Sequence, residues 1–231
     1  MILFVGDPHG DFTAVREHGR DAEHIVLLGD QTPAQALEAE LGSLASRTWW
    51  IFGNHDGDKP EFLERHMNMM DRNLHGRVVT LDGLRVAGLA GVFRQKVWSV
   101  TNDQPLADAM KRSSRDGMTR RQFTESTRPA HRFQGGPAPK HWTSIFPDDV
   151  ERLAKLEADV LVTHEAPESH RHGFKIIGDL AKAMGARLVV HGHHHPPGSF
   201  SHESVIEGGI KVQWLTEREA WPLSTAVAHH L

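Results

Sequence analysis

The chain of 231 residues carries a formal net charge of -4, with 39% hydrophobic and 24% charged residues. This is an ordinary globular balance with no general attraction for membranes or duplex nucleic acid. The absence of cysteine and tyrosine excludes disulfides, thiolate or phenolate nucleophiles and cysteine-type zinc sites, whereas 18 histidines supply many imidazole donors.

In chain order, short apolar runs each end in polar punctuation. Residues 2–5 precede Gly6-Asp7, residues 25–28 precede Gly29-Asp30, and residues 49–52 precede Gly53-Asn54. Later, residues 160–162 precede Thr163-His164 and residues 188–190 precede His191-Gly192. Runs this short and β-branched read as buried strands. Helical segments are expected at 12–18, 33–45, 60–67, 147–157 and 174–184, several with proline in the first turn. Residues 78–92 read as a hairpin turning at Asp82-Gly83, and 204–206 with 210–215 as further strands around Gly208-Gly209. Strand and helix alternate, so a layered α/β architecture is expected, with a second sheet packed beside the first.

Residues 95–141 break this pattern. They are polar and basic, expected to be helical near 105–112, and read as a cap-like insertion in a single domain spanning 1–231. Its arginines suit a solvated loop or a grip on an anion, and its charge could hold a short single strand of nucleic acid. Trp98 and Trp142 flank it and are expected to pack rather than to stack on a base. The opening "MILFVGDPHG" has an apolar run too short for a signal peptide, and no run reaches the roughly 20 residues of a membrane span. The expected location is therefore the cytoplasm, without membrane partners.

Metal-capable side chains fall at the strand ends: Asp7 and His9, Asp30, then Asn54, His55 and Asp56, then His164, then the cluster "HGHHHPPG". Ligands in α/β sheets bind beyond the carboxyl ends of strands, so these residues are expected on one rim of one sheet. Carboxylate, imidazole and amide donors suit manganese, iron, zinc, cobalt or nickel rather than calcium. Within "HGHHH", an extended backbone would turn His193 and His195 into one cavity and His194 away from it. His191 is expected in the core or behind the site, with Pro196 and Pro197 stopping the strand.

The ordered segments "GDPHGD", "GD", "GNHD", "TH" and "GHHH" resemble the motifs of the calcineurin-like metallophosphoesterase superfamily, and "GLRVAGLAGVF" is similar to a segment these proteins carry after "GNHD". The resemblance spans Asp7 to His195. It implies a layered α/β/β/α sandwich of two mixed sheets flanked by helices. It further implies two divalent or trivalent metal ions, manganese first, with iron or zinc as alternatives. The first ion would be held by Asp7, His9 and His195 and the second by Asn54, His164 and His193, with Asp30 bridging. His55 would act as general acid or phosphate donor, oriented by Asp56, while Asn54 and Arg94 would contact substrate. The implied activity is hydrolysis of phosphomonoesters or phosphodiesters, small and perhaps nucleotide-like, by attack of metal-bound hydroxide. The segment after Asp30, "QTPAQ", lacks the Arg-Gly pair of the protein-phosphatase branch. A catalytically silent scaffold of the same fold, acting in protein interaction, is the alternative.

Overall fold

The computed structural model describes residues 1–116, 118–195 and 202–224. Pro196 and Pro197 lie outside the described residues. The chain runs β1 (Ile2–Val5), α1 (Thr13–His18), β2 (His24–Leu27), α2 (Leu37–Leu41), β3 (Thr48–Trp50) and α3 (Pro60–Glu64). The hairpin follows as β4 (Val78–Leu81) and β5 (Leu84–Leu89), then four helices: α4 (Leu106–Asp116), α5 (Arg120–Ser126), α6 (Pro139–Trp142) and α7 (Pro147–Leu153). The remainder is β6 (Val160–Thr163), α8 (Lys175–Ala183), β7 (Leu188–His191), β8 (Glu203–Ile206), β9 (Ile210–Trp214) and β10 (Ala220–Leu223).

The strands form two mixed sheets flanked by helices, one in the order β10-β1-β2-β3 and the other β4-β5-β6-β7-β9-β8. Parallel pairing of β1 with β2 and β2 with β3 leaves those strands buried on both faces, which their unbroken apolar runs require. The same holds for β5, β6 and β7. Asp82 and Gly83 both take positive φ at the hairpin tip, as a two-residue turn of matching twist demands.

One apolar cluster joins the two sheets, with Phe4, Leu27 and Trp50 from the first meeting Val86, Val162 and Val190 from the second. A second cluster lies between the larger sheet and its helices, where Leu161 and Val189 meet Ile177 and Leu180 of α8 and Val150 of α7. These alternating positions on β6 and β7 face opposite cores, the period-two rule at work.

The expectation of ligands on one rim of one sheet is corrected. β1, β2 and β3 belong to the four-stranded sheet and β6 and β7 to the six-stranded one, so the ligand-bearing ends converge across the inter-sheet core. β10 has no counterpart among the expected strands. It is an edge strand, and Pro222 is tolerated there because no further strand requires its missing N–H.

Residues 95–141 are not a loose loop. Val97, Trp98, Ala109 and Phe123 join the second core, and Trp98 packs edge-on against Phe93. The helix expected near 105–112 is α4, longer than expected. Arg120 donates to Asp149 at 2.9 Å, Arg121 to Glu125 at 2.8 Å, and Arg132 to the backbone carbonyls of Thr127 and Glu125. These three arginines therefore brace the insertion and tie it to α7. Trp142 packs against Phe133 and donates to the Pro137 carbonyl.

Candidate metal centre

Asp7 stands two residues past β1 and is fully buried, and the turn after it places His9 at φ +47. Asp30 follows β2 at φ +49 and His193 follows β7 at φ +72. Left-handed backbone costs a non-glycine residue of order 1 kcal/mol and persists only where the surroundings impose it. Here it occurs at three residues whose side chains meet in one place.

The chain brings the sequence-expected donors into two adjoining groups. Atoms of Asp7, His9 and His195 lie within 4.8 Å of one another, as do atoms of Asp30, His164 and His193. Asp30 sits between them, its Oδ2 3.5 Å from His164 Nε2 and 4.0 Å from His9 Nε2. Asn54 joins the second group, its Oδ1 3.0 Å from His164 Nε2.

His193 and His195 thus fall in different groups, but not through strand alternation. β7 ends at His191, and the left-handed turn at His193 separates the two rings. His195 Nε2 lies 3.0 Å from Asp7 Oδ2, whereas the His193 ring lies 4.8 Å from that of His164. His191 is buried and stacks on Trp214, behind the site.

The glycines that precede the donors are steric necessities. A Cβ at Gly29 would fall onto His164 Nδ1, one at Gly53 onto Asp30 Oδ1, and one at Gly192 onto Asp7 Oδ1. These three glycines each leave room for a carboxylate or imidazole from another strand.

The electrostatics fit cations. Burial disfavours charge on His164, yet the Asp30 and Asp7 carboxylates outweigh it and raise the imidazole to about 10. His164 Nδ1 donates to the Leu28 carbonyl at 2.8 Å, so the proton on Nε2 lies among Asn54 and Asp30, where a cation would displace it. Burial would raise Asp30, but His164 and the His55 amide, 2.7 Å away, hold it well below the carboxylate range. Burial and the neighbouring His164 push His193 down to about 2, leaving a neutral ring with a free lone pair. Asp7 Oδ1 is buried with no hydrogen-bond partner, a costly orphan that a metal ligand bond would satisfy. The donor set and this orphan fit metal ions.

His55 lies beside this centre, its ring edge-on to His9 at 5.6 Å. Asp56 does not orient it, contrary to expectation. Both Asp56 oxygens are taken by backbone amides, Oδ1 from Thr32 and Oδ2 from Gly53, each at 2.8 Å. Burial and the nearby Asp30 push the Asp56 carboxyl up, and these amides pull against the shift. The partner of His55 is Asp58, whose Oδ2 lies 2.7 Å from Nδ1. A single 3-10 turn at His55–Gly57 brings residues three apart onto one side. The motif "HDGD" contains that spacing, with Asp56 adjacent to His55 and Asp58 three residues on.

Arg94 is half-buried and donates to Thr143 Oγ1 at 3.1 Å, while its Nε has no partner. Burial lowers its guanidinium against the pull of Asp58, Asp30 and Glu165, so it stands within electrostatic reach of the centre. Thr143 Oγ1 also approaches the Asn54 carbonyl at 3.4 Å, which ties α6 and the insertion to the His55 turn.

Comparison with known proteins bears on the family and the fold. The profile of the calcineurin-like phosphoesterases matches residues 1–197. An uncharacterized protein of Haemophilus influenzae is 37% identical over 199 residues, covering 84% of this chain and 83% of that one. The crystal structure of TT1561 of Thermus thermophilus superposes with a TM-score of 0.52 at 16% identity, covering 94% of this chain and 88% of that chain. That likeness bears on the fold alone. The ligand groups at the strand ends fit a metal-dependent phosphoesterase, and by the match over residues 1–197 the chain belongs to the calcineurin-like phosphoesterase family.

Proposed function

We propose that the protein hydrolyses phosphomonoesters or phosphodiesters of small molecules with two metal ions, manganese first among the candidates. The observation that carries this reading is the pair of donor groups flanking Asp30. Asp7, His9 and His195 would hold one ion, Asn54, His164 and His193 the other, and Asp30 would bridge. Two bound cations neutralise phosphoryl charge and lower the pKa of water, supplying a nucleophile in a chain where cysteine and tyrosine cannot.

The chain's own residues do the rest. Arg94, with an unpartnered Nε, would bind a phosphoryl oxygen. His55, held through Nδ1 by Asp58, would offer Nε2 to the leaving oxygen as proton donor. Asn54 would contact the phosphoryl group from the rim. Asp56 would keep Gly53 and Thr32 in place, and with them the turn that carries Asn54 and His55. Half of the His55 side chain is exposed, so a leaving group could approach it from solvent. The test is turnover of an aryl phosphate and a bis-aryl phosphate by chelator-stripped protein resupplied with manganese. Turnover of either, lost in Asp30→Asn, supports the reading. Turnover of neither with any of manganese, iron, cobalt or zinc refutes it.

A further inference from the structure

Beyond the two groups that flank Asp30, a third set of donors lies on the far side of His193. Atoms of Glu165, His193 and His194 come within 4.8 Å of one another. Glu165 follows His164 at the end of β6, and His194 follows the left-handed turn at His193. Strand ends from two neighbours in one sheet, β6 and β7, therefore bring these three together, as they do His164 and His193.

Two polar groups of this set are poorly hydrogen-bonded, although Arg94 stands within electrostatic reach of Glu165. The Glu165 carboxylate is almost wholly buried, yet the hydrogen bond it accepts is a long one, 3.3 Å, from the Ala166 amide. A buried carboxylate normally needs close cationic or multiple amide partners. The nearest imidazole nitrogen, His194 Nε2, stands 3.8 Å from Oε1, beyond hydrogen-bond reach. That same Nε2 is itself buried with no hydrogen-bond partner. An acceptor oxygen and an orphaned nitrogen thus face each other too far apart to bond, at a spacing that an intervening cation would satisfy.

The His194 ring is also held in place. It stacks on His170 with centroids 4.0 Å apart and planes 15° from parallel, and its carbonyl accepts from Trp214 Nε1 at 3.1 Å. A preset imidazole loses little freedom on binding a metal.

We infer that Glu165, His193 and His194 form a third, auxiliary site for a divalent transition-metal ion. It rests on the reading of His193 as a metal ligand and adds to the pair flanking Asp30; to serve both ions at once, His193 would release its ring N–H proton to solvent and use its two nitrogens as an imidazolate. One carboxylate and two imidazoles suit zinc, cobalt, iron or manganese, and disfavour calcium and magnesium, which prefer all-oxygen shells. Three protein donors leave coordination positions open to water or to a substrate oxygen.

Cobalt(II) is a suitable probe, because its content can be counted and its visible absorption reports ligand type. Chelator-stripped protein is equilibrated with cobalt and the bound metal measured by elemental analysis. Wild type should bind a third equivalent beyond the pair, and Glu165→Gln and His194→Ala should each lose one equivalent. In the Asp7→Asn/Asp30→Asn double variant, which disables the paired sites, one cobalt should remain and should disappear on adding Glu165→Gln. Wild type saturating at two equivalents overturns the inference whatever the variants do, and leaves the dinuclear reading standing. Equal cobalt content in wild type, Glu165→Gln and His194→Ala also overturns it, marking Glu165 and His194 as a simple ion pair. Loss of all cobalt in the double variant overturns it too.

Discussion

His55 Nδ1 and Asp58 Oδ2 lie 2.7 Å apart across one 3-10 turn, each side chain about half exposed. Through this bond the carboxylate fixes the tilt of the ring, which otherwise meets the His9 ring edge-on. Asp58→Asn should lower kcat about tenfold to a hundredfold with KM little changed, the usual scale for a partner that orients a functional imidazole. Steady-state kinetics on aryl phosphates of graded leaving-group pKa check this, and the loss should grow as the leaving group worsens.

Asp56 should behave differently. Its two oxygens accept from the amides of Thr32 and Gly53 in a fully buried setting. Asp56→Asn turns one acceptor into a donor facing an N–H, at a cost of about 1–3 kcal/mol. A fall in melting temperature larger than that of Asp58→Asn is expected, read by calorimetry.

The histidine run separates by position. His193→Ala and His195→Ala should each remove a cation from the pair flanking Asp30, since one ring meets His164 and the other meets Asp7. His194→Ala should leave that pair loaded. Elemental analysis after equilibration with manganese distinguishes the three variants.

Gly53→Ala offers a purely steric test. The added methyl would fall onto Asp30 Oδ1, and φ at Gly53 lies outside the left-handed region. Metal content should drop while far-UV circular dichroism stays unchanged. Gly42→Ala, where a Cβ meets open space, should lower stability, because φ +55 with ψ -126 is a conformation that suits glycine, and should leave metal content intact.

A pH effect follows from His66, buried between Trp50 and Phe52. Burial pushes it down to about 4, against the pull of the Phe62 carbonyl 2.6 Å from Nδ1. Between pH 6.5 and 4 the unfolded chain binds a proton that the folded chain refuses, so stability falls as pH drops through that window. The full effect approaches about 3 kcal/mol. Urea denaturation at pH 7.5 and 4.5 should show a smaller acid loss for His66→Gln than for wild type.

Much of the centre was legible because each strand is a short apolar run whose first polar residues mark its end. Asp7, Asp30, Asn54, His164 and His193 all fall within three residues of such a run. What escaped depends on distant partners or on local curvature. The division of β1–β3 and β6–β7 between two sheets is a matter of long-range pairing, which no local pattern encodes. β10, with a proline inside it, has little strand signal of its own and is made by its register against β1. The partner of His55 is chosen by the tight turn at His55–Gly57, and the split of His193 from His195 by one left-handed residue. Histidine tolerates left-handed backbone better than most residues, but residue type alone does not say which histidine of a run will adopt it.

The most direct test of the central claim is turnover of bis-aryl and aryl phosphates by chelator-stripped protein as manganese is added stepwise. Turnover should be absent without metal, rise to its plateau only as the second equivalent binds, and vanish in Asp30→Asn. Turnover that survives chelation, or that Asp30→Asn retains in full, would contradict the account.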